Sequence, residues 1–461
     1  GYEMVGIPDG LGARQEGDDV VINMNHELRS TQGIFRLHGA KGAFVSRLVL
    51  DPETNRIVAG EDFIQPEVQF FNYLTGAVDD TPSPGGTRGD GKVFPPQTVE
   101  FNRFCSSSLT DDGQLFNGRS GRGYLGQIYF ANEEAGDEGR VFGVTEDGQA
   151  RQLSRLGLFS WEQTVAAANF TDTTLVMGTE DTAIGQLWAY NGRKLAAGSP
   201  FARAGLLNGR NNVVRLDDGD LTTVEPTDDA GFRTAYDKGA AVPFTLTDVE
   251  WNQSGADQNA EAAAEGLTLN RIEDGAFDPN SPNDFYFLTT EGGENPNPSI
   301  GGGGGGLWKL SYTDIEQPQL GGTLTLLLDG TESVGLQKPD NMDIDSQGNL
   351  LIQEDPGGSD AIARILAYRL SDGAIASVAQ CDANLFGAGA ENQITNDEES
   401  SGIIDVADLL GEGTFLFDAQ VHTSTGLPPG SGEGTVEEYV ERGQLLRMTV
   451  SNWSKVYPSA P

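Results

Sequence analysis

Charged residues are bunched at the end of an apolar run in one stretch of this chain. Between Leu269 and Thr290, the residues Arg271, Glu273 and Asp274 stand directly before an aromatic strand. Carboxylates gathered in this way can hold divalent cations. An exposed ion pair between Arg271 and a neighbouring carboxylate would contribute little to stability. The stretch therefore indicates either a cation site or an ordinary solvated turn.

Further clusters of acidic, amide or sulfur-bearing residues follow other apolar runs. They contain Asn25, His26 and Glu27, then Cys105, Glu133 and Glu134, Glu162, Glu180, and finally Asp340, Asn341, Asp343, Asp345, Glu354 and Asp355. Cys105 has polar neighbours in FNRFCSSSL, which a thiolate metal ligand tolerates better than an inert core cysteine does. The clusters extend the hypothesis of cation binding to much of the chain.

Three other kinds of site are disfavoured. Asp343, Asp345 and Gly348 are spaced like part of an EF-hand loop, but the terminal glutamate is missing, so Asp345 to Gly348 is predicted to be a hairpin turn. The three histidines, His26, His38 and His422, are too scattered for a histidine-rich zinc site, and no G-x-S-x-G motif supports serine hydrolysis.

The elements that must position these clusters are predicted to be short β-strands. A pattern of a small residue, alternating apolar positions and a turn recurs in six loose copies, which begin at Ser46, Gly139, Gly185, Gly306, Ala363 and Gly443. Repeated hairpins without crossover helices predict an all-β, six-bladed β-propeller. We expect a single domain over residues 1–461, with large loop insertions near 60–100 and 290–306 and a few short helices, around Ala262 and near the C-terminus. The run Gly301–Gly306 is expected to be a mobile loop tip.

Composition excludes several classes of partner. The chain has 69 acidic and 29 basic residues and a net charge of -40, so nucleic acid and anionic membranes would be repelled. No apolar run is long enough to predict a transmembrane segment. No signal sequence precedes Gly1, so an exported protein would be present here in processed form. Cys105 and Cys381 could form one disulfide but not a disulfide framework.

Taken in order, the motifs resemble those of the PhoX-type alkaline phosphatase family of secreted bacterial proteins. The matching segments are NHEL from Asn25, Cys105, NEE from Asn132, LGLFSWE ending at Glu162, VMGTEDTAIGQLWAY from Val176, RIEDGAFDP from Arg271, FYFLTT from Phe285 and KPDNMDID from Lys338. The cysteine segment departs from the family pattern, because FCSSSLTDDGQLFNG stands where the family usually has a glycine-rich run of the Thr-Pro-Trp-Gly type.

The resemblance implies a propeller whose channel mouth holds a cluster of Ca²⁺ and Fe³⁺. Carried over residue by residue, it makes Glu27, Glu162, Glu273 and Asp340 carboxylate ligands, Cys105 an iron ligand and Arg271 a phosphate clamp, with Asn25, Glu133, Glu134 and Asn341 as additional candidates. Asp274 would support the ligands or cap the turn. Calcium takes carboxylate and carbonyl oxygens, whereas ferric iron accepts carboxylate and thiolate ligands.

The function that the resemblance implies is a metal-dependent phosphatase that is secreted, periplasmic or on the cell surface. Its substrates would be phosphate monoesters, with diesters as a further class. Two alternatives stay open: a non-catalytic calcium-binding extracellular propeller with a structural or adhesive role, and a lactonase or phytase-like propeller that uses calcium alone. Iron together with calcium would favour the phosphatase, and calcium alone would favour the alternatives.

Overall fold

A computed structural model of the chain describes residues 4–217, 227–294 and 304–457. Half of the glycine run, Gly301–Gly303, lies outside the described residues, as does most of the predicted insertion near 290–306. Short helices connect the strands: α1 (Pro200–Arg203), α2 (Asp229–Ala235), α3 (Gly255–Glu265), α4 (Ala383–Phe386), α5 (Ala407–Leu410) and α6 (Val436–Tyr439). Helix α3 and the short α6 confirm the two helical segments predicted from the sequence.

The first third of the chain forms two antiparallel four-stranded sheets and several small hairpins. The first sheet contains β1 (Pro8–Glu16), β2 (Asp19–His26), β3 (Phe44–Asp51) and β4 (Arg56–Asp62). Two hairpins follow within the predicted insertion, β5 (Phe70–Phe71) with β6 (Val78–Asp79) and β7 (Gly86–Thr87) with β8 (Val93–Phe94). The second sheet contains β9 (Phe104–Leu109), β12 (Ile128–Glu133), β13 (Val141–Thr145) and β14 (Ala150–Gln152), with the hairpin β10 (Phe116–Asn117) and β11 (Arg122–Gly123) between its strands.

The middle of the chain forms one ten-stranded sheet. It contains β15 (Trp161–Ala166), β16 (Thr173–Glu180), β17 (Gly185–Arg193), β18 (Arg210–Leu216), β19 (Val242–Val249), β20 (Thr268–Leu269), β21 (Ile272–Asp278), β22 (Ser281–Thr289), β23 (Gly306–Tyr312) and β24 (Gly322–Leu328). The two halves of this sheet are joined where β19 pairs with β24.

Two smaller antiparallel sheets complete the fold. One contains β25 (Pro339–Ile344), β26 (Asn349–Glu354), β27 (Arg364–Arg369) and β28 (Ile375–Gln380), and the other contains β29 (Glu398–Asp405), β30 (Thr414–Val421) and β31 (Arg442–Thr449).

Six strands lie side by side in a closed ring. Strand β1 packs beside β9, β9 beside β15, β15 beside β21, β21 beside β25, β25 beside β29, and β29 beside β1. We call these the inner strands, and their hydrogen-bonded partners β2, β12, β16, β22, β26 and β30 the second strands. Closure of this ring confirms the all-β, propeller-like architecture. The count of six blades stays a prediction, because β15 to β24 pair as a single sheet.

The six sequence repeats have a common place in the fold. They fall on β3, β13, β17, β23, β27 and β31, each the strand that follows a second strand in its sheet. The repeat pattern places a turn after the apolar positions, and in the third copy this would be the Asn191–Gly192 dipeptide. No turn forms there, because β17 continues through both residues and pairs with β16 as far as Arg193. Interstrand hydrogen bonds therefore outweigh the turn preference of this dipeptide. The turn at Asp345 is confirmed: the Gly348 N–H donates to the Asp345 carbonyl between β25 and β26.

Aromatic packing at the start of β15 fixes the position of this inner strand. Phe159 stacks on Trp161 at 3.8 Å between ring centroids and on Trp188 at 4.6 Å. All three side chains are buried, and each contributes about 1.5–3 kcal/mol or more through burial of apolar surface. Because Glu162 follows Trp161 directly and the chain alternates faces, this packing also fixes the direction in which Glu162 points.

Candidate metal centre

The inner and second strands pair in equivalent ways at one end of the ring. The paired residues are Pro8 with His26, Phe104 with Glu133, Trp161 with Glu180, Ile272 with Thr289, Pro339 with Glu354, and Glu398 with Val421. The residues that follow these pairs form two rings, which we call the first ring and the second ring. The first ring consists of Asp9, Cys105, Glu162, Glu273, Asp340 and Glu399, and the second ring of Glu27, Glu134, Asp181, Thr290, Asp355 and His422.

All of these residues except Thr290 line one cavity of about 500 Å³. The cavity thus collects side chains that are separated by hundreds of residues in the sequence. Nine of them are carboxylates and one is a thiol. Such a concentration of anionic groups is the composition expected of a site for several cations.

The backbone before the first ring has an unusual conformation in four of the inner strands. The residue two positions before the ring has a left-handed φ, namely 51° at Ile7, 52° at Arg103, 54° at Arg271 and 52° at Lys338. This conformation costs roughly 1–3 kcal/mol at a non-glycine residue, so the fold must stabilise it elsewhere. In all four of these strands a register shift spans the ring residue, at Pro8/Leu11, Phe104/Ser107, Ile272/Gly275 and Pro339/Met342. Bulges of this kind redirect side chains at functional sites.

The candidate ligand atoms lie close enough together to share cations. Four groups each bring three ligand atoms within 4.8 Å of one another: Asp9, Glu27 and Cys105; Cys105, Glu134 and Glu162; Glu162, Glu273 and Asp340; and Asp340, Asp355 and Glu399. Cys105, Glu162 and Asp340 each belong to two groups. The groups therefore form one continuous arc around the cavity.

The electrostatics of the arc are those of a buried and strongly anionic site. Burial, followed by repulsion from neighbouring carboxylates, raises the pKa well above its ordinary value in Asp9, Glu134, Glu162, Glu273, Asp340 and Glu399. Burial and the charge of Glu162 likewise raise the pKa of the Cys105 thiol. Glu162 Oε1 is buried and has no hydrogen-bond partner within the described part of the chain. Bound cations would neutralise these groups, so the residues present fit a metal cluster.

Three arginines line the cavity. Arg29 is exposed, whereas Arg271 and Arg103 are held among these carboxylates. Arg271 donates from Nε and Nη2 to the two carboxylate oxygens of Asp181, both at 2.8 Å, and its Nη2 lies 3.4 Å from Glu273 Oε1. Arg103 donates from Nε to Glu27 at 2.7 Å and forms an ion pair with Glu134. Both side chains keep about a third of their surface exposed, at 31% and 38%. They are thus held in place yet remain accessible from the cavity.

The structure brings most of the predicted site residues together. Glu27, Cys105, Glu162, Glu273, Asp340 and Arg271 all line the cavity, as does the additional candidate Glu134. Three other candidates lie outside its lining. Asn25 is buried, donates to the Cys105 carbonyl at 2.7 Å and accepts from the Tyr129 hydroxyl at 2.8 Å. Its contacts position the cysteine strand.

The remaining two candidates, Glu133 and Asn341, have other neighbours. Glu133 accepts from Arg140 Nε at 2.6 Å and from Arg140 Nη2 at 2.7 Å, in a buried ion pair. Asn341 is buried beside Asp274, whose Oδ2 accepts from the Met342 N–H at 3.3 Å. Asp274 therefore supports the backbone of β25 and does not line the cavity, in agreement with a supporting role. The cavity lining thus contains none of Asn25, Glu133 and Asn341, so these residues are not proposed as ligands.

Sequence reasoning missed several residues of the cavity, chiefly Asp9, Arg103 and Glu399. Asp181 and Asp355 belong to acidic clusters of the sequence, but no ligand role was predicted for them. A usable signal exists for some of them. Three second strands end in two consecutive acids, and in each pair the second acid faces the cavity: Glu133–Glu134, Glu180–Asp181 and Glu354–Asp355. Arg103 and Arg271 also share a local pattern, since each stands two residues before a ring residue.

Cys105 and Cys381 are both free thiols. Cys105 is in the first ring, whereas Cys381 lines a different cavity. Of the helices in the described ranges, none has the length and apolar character needed to cross a membrane.

Comparison with solved structures supports the fold. The structure of Pseudomonas fluorescens PhoX in complex with vanadate, a transition state analogue, superposes with a TM-score of 0.58 at 13% identity, covering 90% of this chain and 84% of that one. The BP39L lectin from Burkholderia pseudomallei gives a TM-score of 0.38 at 10% identity, with 97% of both chains covered. No curated protein matches the sequence.

A family model described as alkaline phosphatase PhoX matches residues 108–404. The match begins just after Cys105, so Asp9, Glu27 and Cys105 precede it, and the fold alone joins them to the matched residues. Glu162, Glu273 and Asp340 lie within the match, as does Arg271. Since the match covers well over half of the sequence, the chain belongs to the alkaline phosphatase PhoX family.

Proposed function

We propose that this protein is a cation-dependent alkaline phosphatase that hydrolyses phosphate monoesters, with diesters as a second substrate class. Membership of the family supports the reaction class. The observation in this chain that carries the proposal is the arc of carboxylates and one thiol in a single cavity, with Arg103 and Arg271 beside it. A structural calcium site would need the carboxylates but not two accessible guanidinium groups.

The cations that we propose are Ca²⁺ and Fe³⁺. Carboxylates of both rings would hold them, with Glu27, Glu162, Glu273 and Asp340 as the central ligands, and the Cys105 thiolate would be a ligand of iron, which accepts sulfur. When bound, such cations neutralise the negative charge of the cavity and polarise the phosphoryl group.

The two arginines would bind the phosphoryl oxygens. Asp181 engages Nε and Nη2 of Arg271, and no hydrogen bond of its Nη1 is found among the described residues, so the Nη1 edge is the part that faces a substrate. Arg103 is held by Glu27, whose Oε1 accepts from both Nε and Nη2. Because each guanidinium group is already fixed by a carboxylate, substrate binding costs less side-chain conformational entropy.

The net charge of -40 does not oppose this proposal. The charge is spread over the whole surface, where salt screens it within about 8–10 Å. Inside the cavity, bound cations and the two guanidinium groups determine the local potential. A phosphate ester would therefore meet a positive site within an acidic protein.

The remaining proposals concern architecture and location. Counting β15–β18 and β21–β24 as separate units gives six units, which agrees with the six positions of each ring, and we propose a six-bladed propeller in a single domain over residues 1–461. We also propose that the protein is secreted, periplasmic or on the cell surface, which is the location that the family resemblance implies.

Release of phosphate from p-nitrophenyl phosphate by the purified protein tests the proposal. We expect release at alkaline pH, its loss after treatment with a chelator, and its recovery when Ca²⁺ and Fe³⁺ are returned. Absence of phosphate release from metal-replete, folded protein would refute the phosphatase and favour the non-catalytic calcium-binding propeller. Recovery with Ca²⁺ alone would exclude a need for iron.

A further inference from the structure

A second cavity, of about 590 Å³, lies beside the cavity of the two rings. The two cavities share three wall residues, Glu399, Gln420 and Glu441. We propose that the second cavity binds the alcohol part of the substrate, and that the preferred substrates are phosphate monoesters of uncharged apolar alcohols. This inference rests on the proposed phosphatase function and adds the class of leaving group to it.

The lining of the second cavity is mainly apolar. Ile365 and Ala379 contribute from β27 and β28, Leu385 and Phe386 from α4, and Phe417 from β30. Ile365 is buried, but the other four side chains are only half-buried. The volume falls within the roughly 300–1,000 Å³ that is typical of ligand sites. An apolar cavity of this size gains free energy when an apolar group replaces poorly bonded water.

The charges of the lining select against an anionic occupant. Arg442 is the one cation among the described lining residues, whereas Asp382, Glu398, Glu399 and Glu441 are acids. An alcohol that carries further phosphates would be repelled by this excess of carboxylates. An uncharged alkyl or aryl alcohol would meet no such repulsion, and the apolar side chains would bind it.

Two polar atoms in the lining of the second cavity lack partners, one of them on the shared wall residue Gln420. Gln420 Oε1 and Ser400 Oγ are buried, and neither has a hydrogen-bond partner within the described ranges. The amide nitrogen of the same side chain fixes its orientation, because Gln420 Nε2 donates to Asp9 Oδ2 and to Ser401 Oγ, both at 3.4 Å. A buried acceptor without a donor is costly. The hydroxyl of the alcohol product, which forms when the ester bond breaks, would supply the missing donor.

The reaction fits this division of the substrate. Water forms a new bond to phosphorus, the bond from phosphorus to the ester oxygen breaks, and that oxygen takes up a proton and leaves as an alcohol. The products are inorganic phosphate in the ring cavity and an apolar alcohol in the second cavity. The shared wall at Gln420 lies where the broken bond would separate them.

The first test compares two esters that differ only in their alcohol, hexyl phosphate and methyl phosphate. We expect kcat/KM of the wild-type protein to be about 10-fold or more higher for hexyl phosphate, mainly through a lower KM, since each buried methylene contributes about 0.8 kcal/mol. Ala379→Trp should fill the cavity and remove this preference while leaving methyl phosphate hydrolysis unchanged. Ser377→Trp, an exposed position of the same strand outside the lining, is the matched control and should retain the preference.

A second route does not depend on the folding of the Ala379→Trp variant. Cys381 lines the cavity as a half-buried free thiol, so its alkylation with N-ethylmaleimide should raise KM for hexyl phosphate several-fold but not for methyl phosphate. Cys381→Ser protein should not respond. Equal kcat/KM for the two esters, or a preference that survives both treatments, would overturn the inference and leave the phosphatase proposal intact. Hydrolysis of neither ester by metal-replete protein would instead refute the phosphatase proposal itself.

Discussion

In three second strands, two consecutive carboxylates close the strand, and the two members of each pair have different surroundings. The first members are Glu133, Glu180 and Glu354, and the second members are Glu134, Asp181 and Asp355. Each first member is buried and accepts hydrogen bonds from a residue on or next to the following strand. Glu133 accepts from Arg140, and Glu180 accepts from Trp188 Nε1 at 2.9 Å. Glu354 accepts from Arg364 Nε at 2.6 Å and from Arg364 Nη2 at 2.7 Å. Each second member faces the ring cavity.

The difference follows from the alternation of side chains along a strand. A shift of one residue moves a carboxylate from a partner within the fold to a cavity where its partners are arginines, other acids or a bound ion. The first members hold the strands together, whereas we propose that the second members and the first ring serve cations and substrate. Changes at the two sets should therefore separate stability from activity.

The largest effect is expected from Glu162→Gln, in the first ring. Loss of this carboxylate removes a ligand shared by two groups of the arc, so kcat/KM should fall about 1,000-fold, comparable to the loss of a central electrostatic contact in other enzymes. The metal-free variant should be at least as stable as metal-free wild type, because one repelling charge is gone. Kinetics, metal analysis and thermal unfolding together measure this. If kcat/KM of Glu162→Gln stayed within 10-fold of wild type, the hypothesis that the first ring binds the catalytic cations would be contradicted.

The opposite result is expected from Glu354→Gln, a first member. Arg364 would remain largely buried without its carboxylate, so the free energy of unfolding should fall by about 3–5 kcal/mol. The folded variant should keep kcat/KM within a few-fold of wild type. Urea denaturation and kinetics at low temperature measure the two quantities. If the Glu354→Gln variant kept the stability of wild type but lost activity, Glu354 would serve the cavity and not the packing of the strands, contrary to this account.

A smaller effect on activity is expected from Arg271→Ala. Removal of a charged hydrogen bond to phosphate costs about 1.5–3 kcal/mol, which corresponds to roughly a 10-fold to 150-fold fall in kcat/KM. Metal content should stay largely intact. Arg210→Ala, which removes an exposed ion pair with Asp248 far from the cavity lining, is the control and should change neither property. Loss of metal from Arg271→Ala without a change in turnover would refute the proposed role of Arg271 in binding the substrate phosphate.

The dependence of stability on pH should differ between metal-free and metal-loaded protein. Burial raises the pKa of Asp9, Glu162 and Glu273 in the metal-free fold, so their folded forms hold protons that the unfolded chain releases above about pH 4.5. The stabilisation is present at low pH and is lost as pH rises, by up to about 1.4 kcal/mol per group and pH unit. The Tm of metal-free protein should therefore fall from pH 5 to pH 9. Bound cations should flatten the curve, and parallel curves would contradict this account.

The smallest effect is expected at the Asp345 turn, which lies outside both rings. Gly348 has a φ of +80°, so Gly348→Ala should lower the free energy of unfolding by about 1–2 kcal/mol through left-handed strain. Phosphatase activity and metal content should not change. Gly118→Ala, at an unstrained glycine in open space, is the control. A loss of bound calcium in Gly348→Ala protein would show that this turn is a cation loop after all.

The sequence was sufficient to predict those site residues that stand beside a recognisable local pattern. Glu162 follows a run of aromatic residues, and Arg271 and Glu273 stand together before a strand, so their clustering was visible in the chain itself. The repeats likewise predicted an all-β architecture, because the third strands β3, β13, β17, β23 and β27 are largely buried and keep an apolar pattern.

The rest depends on contacts between distant parts of the chain. Asp9 lies in a glycine-rich segment and Glu399 in a run of acids, and neither segment is distinctive until β29 packs beside β1 and closes the ring. The pairing of β19 with β24 likewise joins strands that are far apart, and no local pattern predicts it. Which member of an acid pair faces the cavity depends on strand register, which the sequence alone does not fix.

Anomalous X-ray scattering from crystals of active protein, measured on both sides of the iron absorption edge, tests the central claim most directly. We predict an iron peak beside the Cys105 Sγ and further cation density between Glu162, Glu273 and Asp340, in crystals grown from a sample that releases phosphate. Active protein whose ring cavity contains no cation would contradict the account.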